Sequence, residues 1–420
     1  MPKTAAVRWK RLLFPGLVTG LCLWAAYAVV TTGRAAYLEN AGEGRGALRW
    51  RTASPTALAL EADHLAREGQ RAAADGMARR ALERSTLRSD ALRVLAFSTA
   101  AEGRVDAAEP LMARAAWINP RDGQAQDWLF QRALARREYS KALLRADLLM
   151  RRSLAARTPL AFSLAGLLDN DQARVALVER LALDPSWRGT FLTVAIRVGA
   201  EPDIAALFQA LRRTPAPVTD EEATSFFRRL VAERRYREAK TWFDALVATP
   251  ESRRALVYDG AFAGSPGPAP LNWQVIAGLG GNARWTWDND VPIGSLLVSH
   301  DGFSSSGPMV RQLILLPPGA YEVAARTRVD DPVADRRFTL QVACAVGETL
   351  VSAPLPGVPG TWTPSHRAFS VPATGCEAQW LQIAPVTVDR REMAEMSIDD
   401  IVVRPVTAQA GQAGVREQAP

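Results

Sequence analysis

Through residue 254 apolar residues recur at the three-to-four spacing of a single helix face, and beyond it the spacing shortens to two. The clearest helical stretch lies between Arg88 and Pro120. Leu92, Leu95 and Ala96 share one face of a first helix, Gly103 marks a turn, and Ala107, Ala108, Leu111, Met112, Ala115 and Ala116 line a second helix. Small residues at 108 and 115 let the two helices approach closely. Asn119-Pro120 stops the second, because proline disfavours helix in the residue before it. The pattern predicts an antiparallel helical hairpin. A step of 34 residues back from Leu92, Gly103, Ala108 and Ala115 meets Leu58, Gly69, Ala74 and Ala81, the same residue types. The same step forward meets Gln126, Arg137, Ala142 and Leu149, so two of the four positions depart.

This recurrence resembles the tetratricopeptide repeat, whose period is about 34 residues. The resemblance implies an α-solenoid of helical hairpins over residues 53–254, a surface that docks protein partners rather than a reaction centre. Later hairpins end at Asp184-Pro185, Thr214-Pro215 and Thr249-Pro250, at drifting intervals, so an irregular helical domain stays open as the reading beyond residue 157.

Residues 12–30 carry no charge, and 19 residues of helix span about 28 Å, close to the hydrocarbon thickness of a bilayer. Lys3, Arg8, Lys10 and Arg11 precede this run, and Arg34 is the one cation in the dozen residues after it. The charge asymmetry predicts a single transmembrane helix with residues 1–11 in the cytoplasm and the bulk of the chain exported, the topology of a bacterial inner-membrane protein with a periplasmic body. Ala26-Tyr27-Ala28 also fits a signal-peptide cleavage pattern, although the apolar run exceeds the usual signal core. Residues 31–52 mix glycine with charge and read as a short linker.

From residue 255 short runs rich in β-branched and aromatic residues follow one another: 273–276, 284–287, 294–299, 310–316, 321–329, 338–344, 367–371, 379–383 and 398–403. Gly, Pro, Asp and Asn separate them, and about ten strands in some 150 residues predict two packed sheets. The fold class expected is therefore multidomain, α followed by all-β, with a β-sandwich over 255–405 and a disordered tail over 406–420. Tyr258-Asp259-Gly260-Ala261-Phe262, Asn272-Trp273, Gln312-Leu313 with Pro318-Gly319-Ala320-Tyr321, and a closing Ile398-Asp399-Asp400-Ile401-Val402-Val403 give this segment its character. It resembles the jelly-roll carbohydrate-binding modules of the galactose-binding-like superfamily. That resemblance implies a structural calcium held by Asp259 and Asp400, for which hard oxygen ligands are suited. It also implies glycan recognition by aromatic faces, for which Trp285, Trp287 and Trp362 are the candidates and Trp273 and Trp380 are further tryptophans available. Trp285 and Trp287 lie two apart on one strand and so share a face, either an open platform or a wall of the core. Cys344 and Cys376 both fall in this segment; an oxidising compartment permits a disulfide worth about 3–4 kcal/mol, and two buried free thiols are the alternative.

Charge alters this picture in one respect. The formal net charge is +7, but residues 255–420 carry 11 Arg and no Lys against 16 Asp and Glu, a net of −5, leaving +12 for residues 1–254. The helical excess is spread rather than gathered with stacking aromatics, which argues against nucleic acid while leaving an anionic polymer or lipid open as a partner. Catalytic signals are thin. His64, His300 and His366 stand alone without metal-ligand spacing, and no cofactor motif survives its structural context. Asp288, Asp290 and Asp301 are the acids a glycosidase would draw on, but acids in turns between strands are usually solvated. The sequence thus points to a non-enzymatic scaffold of the cell envelope that docks proteins through its repeats and holds glycan through its β domain, in polysaccharide assembly or export. The alternatives are a glycan-binding factor acting mainly through the β domain and, third, a glycan-active enzyme.

Overall fold

The computed structural model describes residues 5–250, 252–264, 267–276, 280–287, 294–303 and 307–406, with side chains from residue 17 onward and without that of Trp287. The basic flank Lys3 to Arg11, the acids Asp288 and Asp290, and the tail from 407 lie outside what is described at side-chain level. The chain divides into two compact units, Met1–Arg188 and Gly189–Pro420.

The first unit opens with α1, Ala5–Asn40, a single uninterrupted helix. Its portion Leu17–Asn40 is long and apolar enough to cross a membrane. Residues 31–52, expected as a linker, are largely helical. α1 continues to Asn40, Gly42 reverses the chain at φ +78°, and α2, Gly44–Leu48, packs back onto α1 and α3, Pro55–Arg67. The glycine content that suggested a spacer serves close packing: a Cβ on Gly44 would lie 2.5 Å from the Glu61 nitrogen and 2.8 Å from the Ala57 oxygen. Ala35 and Leu38 are buried at this junction. Ser54 caps α3 by accepting from the Ala57 N–H and donates to the Glu39 carboxylate.

Three hairpins follow: α3 with α4 (Arg71–Arg84), α5 (Ser89–Ala101) with α6 (Val105–Ile118), and α7 (Gly123–Ala135) with α8 (Tyr139–Arg152). Leu92, Ala96, Ala108, Met112, Ala115 and Ala116 are buried between them; Leu95 and Leu111 are half-buried, and Ala107 is exposed. The turns repeat one geometry. Gly69 and Gly103 both adopt φ +80°, and Arg137, 34 residues further on, adopts φ +60°. At each turn this residue donates to the carbonyl three residues back, and its successor to the carbonyl five residues back, the pattern that closes a helix through a left-handed residue. The backbone register thus extends into the third hairpin although the glycine does not. Beyond it the pattern loosens: α9 (Leu154–Ala165) is followed by α10 (Asp171–Leu181), which packs on α8.

The second unit begins with α11 (Arg188–Val198), α12 (Glu201–Leu211), α13 (Asp220–Ala232) and α14 (Tyr236–Leu246). Thr219 and Glu222 form a capping box at the start of α13. A run of aromatic contacts, Phe208–Phe226–Phe227–Phe243, with ring centroids 5.6–5.7 Å apart, ends 5.0 Å from Tyr258 at the entry to the β-sandwich. The Gln312 amide, fully buried, accepts from the Tyr258 N–H at 2.9 Å and donates to its carbonyl at 2.8 Å, so a side chain completes the backbone pairing of the entering segment.

The strands are β1 (Gln274–Val275), β2 (Gly281–Trp287), β3 (Gly294–His300), β4 (Val310–Ile314), β5 (Gly319–Arg328), β6 (Phe338–Cys344), β7 (Thr349–Pro354), β8 (Thr363–Val371), β9 (Gln379–Pro385) and β10 (Ala394–Pro405). They form two antiparallel five-stranded sheets, ordered β1-β4-β9-β6-β7 and β2-β3-β10-β5-β8. Alternation decides which side chains meet between them: Phe338, Leu340 and Val342 of β6, Leu381 and Ile383 of β9, and Tyr321, Val323 and Ala325 of β5 all enter one core. Cys344 and Cys376 are joined by a disulfide.

Candidate functional site

The period of two that fills the core also sends every second residue of the β1-β4-β9-β6-β7 sheet outward, and the register aligns five of these in one line. Gln274 pairs with Arg311, Arg311 with Gln382, Gln382 with Gln341, and Gln341 with Ser352. The line crosses all five strands, and side-chain hydrogen bonds join it in two segments, Gln274 with Arg311 and Gln382 with Gln341 and Ser352. Arg311 Nε donates to Gln274 Oε1 at 3.2 Å, Gln382 Nε2 to Gln341 Oε1 at 2.9 Å, and Gln341 Nε2 to Thr339 Oγ1 at 3.0 Å and Ser352 Oγ at 3.4 Å. Four of the five are half-buried and Ser352 is exposed. Beside the line, Trp380 shares the outer face, and the Arg311 guanidinium lies 4.1 Å from its ring centroid, a cation–π stack. Burial, and secondarily the positive charge of Arg228 on α13, push the Arg311 pKa down from its ordinary value. A sheet face of amides, hydroxyls and a stacked guanidinium presents donors and acceptors to a hydroxyl-rich ligand across five strands, about 20 Å.

The three tryptophans singled out from the sequence do not converge. Trp285 faces the sandwich interior, half-buried, 5.9 Å edge-on from Phe262 and packed on the core. The side chain of Trp287 lies outside the described residues. Trp362 sits immediately before β8, half-buried, with Arg326 and Arg328 at 5.6 and 5.8 Å from its ring. Trp273 is core, its indole N–H donating to the Asp259 carbonyl at 3.0 Å. Register across strands gathers Gln274, Arg311, Gln341 and Gln382, none of which stands out in a linear reading. The available signal was one uncharged amide at a polar position of each of β6 and β9, Gln341 and Gln382.

Asp259 and Asp400 border a common cavity of about 590 Å³ and both adopt positive φ, +45° and +50°. Asp259 Oδ1 accepts from the Ala263 N–H at 2.9 Å while Oδ2 is buried without a hydrogen bond of good geometry among the described residues, and burial raises its pKa above the ordinary carboxylate range, against the lowering effect of the Ala263 and Gly264 N–H groups. Asp400, however, pairs with Arg326 at 2.7 Å, and Arg326 also donates to the buried Asp399 at 3.0 Å. Among the described residues no group of three or more His, Cys, Asp or Glu side chains is gathered. Calcium takes six to eight oxygens, backbone carbonyls and waters among them, so these two carboxylates, one of them paired with Arg326, would supply only part of such a site. Asp301 accepts from the Phe303 N–H at 3.0 Å and pairs with Arg391 at 3.3 Å.

In the first unit a second surface is built by the leading helices of the hairpins. Arg93 of α5 pairs with Asp63 of α3 at 3.1 Å and with Asp122 at 2.9 Å, and also bonds Gln124. Asp122 is itself the cap of α7, accepting from the Gln124 and Ala125 N–H groups at 3.1 Å. One arginine thereby ties three successive leading helices into a continuous face, beside which Phe97 is exposed.

No family model matches the chain, and no curated protein matches it. Solved structures similar to parts of it include a CBM4 protein, 13% identical over 36% of this chain and 99% of the other, TM-score 0.29. A second is the CBM22-1-GH10 portion of Clostridium thermocellum endo-1,4-beta-D-xylanase 10B, complexed with xylohexaose, 14% identical over 38% of this chain and 29% of the other, TM-score 0.25. A third is YrrB, a TPR protein with an unusual peptide-binding site, 15% identical over 44% of this chain and 86% of the other, TM-score 0.24. At these identities and TM-scores the likenesses carry no inference about ligand or activity.

Proposed function

We propose that this chain is a membrane-anchored, non-enzymatic scaffold of the bacterial envelope, facing the periplasm, whose helical array docks protein partners and whose β-sandwich holds glycan during polysaccharide assembly or export. The observation that carries the reading is the polar line from Gln274 to Ser352, aligned by register and hydrogen-bonded in two segments, with Trp380 beside it. A register-aligned, partly exposed row of amides offers donors and acceptors that can exchange their internal hydrogen bonds for sugar hydroxyls. Two features support the docking role: the face tied together by Arg93, and the rigid passage from α1 into the first hairpin, which holds that face at a fixed attitude to the apolar helix. The test is retention of the full chain, in detergent or nanodiscs, on immobilised envelope polysaccharide, with crosslinking to recover docked proteins from membranes. Native protein is retained and Trp380→Ala with Gln341→Ala is not; equal retention of both variants, or turnover of the polysaccharide, contradicts the proposal.

A further inference from the structure

Arg311 is the odd member of the polar line. The other four are neutral and satisfy one another or their neighbours, whereas Arg311 brings a permanent charge into a half-buried position. Its Nε is engaged by Gln274, and its plane is fixed by Trp380 at 4.1 Å. The two terminal amino groups, four N–H donors in a rigid fork, have no acceptor among the described residues. Among the described residues no carboxylate forms an ion pair with it, and the charge that acts on it is another cation, Arg228, exposed on α13 and likewise outside any ion pair among the described residues. Two guanidinium groups facing one surface without an anion are unfavourable, more so in a domain that is otherwise acidic, with a net of −5 over residues 255–420. The indole beneath the guanidinium is covered on that side, so the outward surface at this point is a charged fork and not an open aromatic platform for a neutral ring.

From this geometry we infer that the outer face of the β1-β4-β9-β6-β7 sheet selects a saccharide bearing carboxylates, a uronate-containing polymer, with a sugar carboxylate seated on the free edge of Arg311 and hydroxyls on the amides of Gln341 and Gln382. The fork geometry matches a carboxylate's two oxygens, and stacking on Trp380 pre-orients it so that little side-chain freedom is lost on binding. Arg228 adds long-range attraction, sensitive to salt. The inference rests on the glycan reading of this face and specifies the ligand class within it.

The test is titration of the full chain in nanodiscs with three probes: an oligogalacturonate, its fully methyl-esterified counterpart, and polyglutamate as an acidic chain without sugar. The expected result is binding of the oligogalacturonate at least about tenfold tighter than of the ester, as one charge-assisted bidentate contact warrants. That preference disappears in Arg311→Gln, falls partway in Arg311→Lys, which keeps the charge and loses the fork, and weakens with salt. Unchanged melting temperature of the variants keeps a folding defect apart from a lost contact. Equal binding of acid and ester, unaffected by Arg311→Gln, overturns the inference and leaves the glycan reading standing. Polyglutamate binding as tight as oligogalacturonate overturns it in favour of an acidic peptide. Binding of none of the three, nor of neutral glycans, removes the glycan reading and this inference with it.

Discussion

The left-handed residue that closes the first helix of each hairpin offers a sign-reversing test of the array. Gly103 stands at φ +80° with open space around it, no atom lying within 4 Å of where a Cβ would be. Gly103→Ala therefore adds no clash, and its effect is the backbone cost of a left-handed residue with a side chain, about 1–2 kcal/mol. Alanine's lower freedom in the unfolded chain returns about 0.5 kcal/mol. A net loss of about 1 kcal/mol lowers the melting temperature of a unit this size by about 2–4 °C. Arg137 occupies the same turn 34 residues on, at φ +60°, exposed and with the same two backbone hydrogen bonds. Arg137→Gly relieves the cost already present and, after glycine's own entropy, gains about 0.5–1 kcal/mol. Helical melting of the full chain followed by circular dichroism, or calorimetry of the helical transition, reads both. Opposite shifts of similar size are expected. A destabilised Arg137→Gly, or an unaffected Gly103→Ala, would refute the shared turn.

Other outcomes follow from the junctions and the buried acid. Gly44→Ala drives a Cβ into the Glu61 and Ala57 backbone, and an overpacking cost of about 1–3 kcal/mol should free α2 and open residues 41–53 to protease; native-like protection would argue against the docked junction. Burial raises the Asp259 pKa, so between the ordinary carboxylate range and the raised value the folded state holds a proton that the unfolded chain has lost. Stability falls as pH climbs through that window and the penalty is complete above it. Asp259→Asn should therefore melt higher than the native chain at neutral pH, with the difference vanishing in acid, and chelator should change neither; a calcium-induced rise in the native protein that Asp259→Asn abolishes would restore the metal. Intact mass should show an uncleaved amino terminus, because the apolar run of residues 12–30 exceeds the usual signal core; a mature chain starting near Val29 would remove the anchor.

Much of the fold is legible because burial and periodicity coincide. The hairpin over residues 88–120 announces itself through alanines at 96, 108 and 115, each fully buried, and nine of the ten strands coincide with apolar runs. β7, Thr349–Pro354, escapes for a physical reason: it is an edge strand paired only with β6, with one of its six residues buried, so it carries little alternation. The linker was misread because glycine has two uses, and only the distance from Gly44 to α3 separates close packing from freedom. Arg137 shows the converse, a departure in residue type that the backbone does not follow. The candidate site was the least legible part. Its members are scattered from 274 to 382 and are ordinary outward residues of separate strands, made into one line by register, which no local pattern encodes. Tryptophans attracted attention for their chemistry, yet Trp285 and Trp273 serve the core, and Trp380 gains its significance from Arg311, 69 positions away in sequence.

Hydrogen exchange on the full chain, with and without saturating envelope polysaccharide, distinguishes a glycan seated on the polar line from one bound elsewhere. Added protection is expected in β4, β6 and β9, whose backbone underlies Arg311, Gln341 and Gln382, with β2, β3 and β8 unchanged. Protection confined to the strands around Trp362, or no protection anywhere in the β-sandwich, would contradict it.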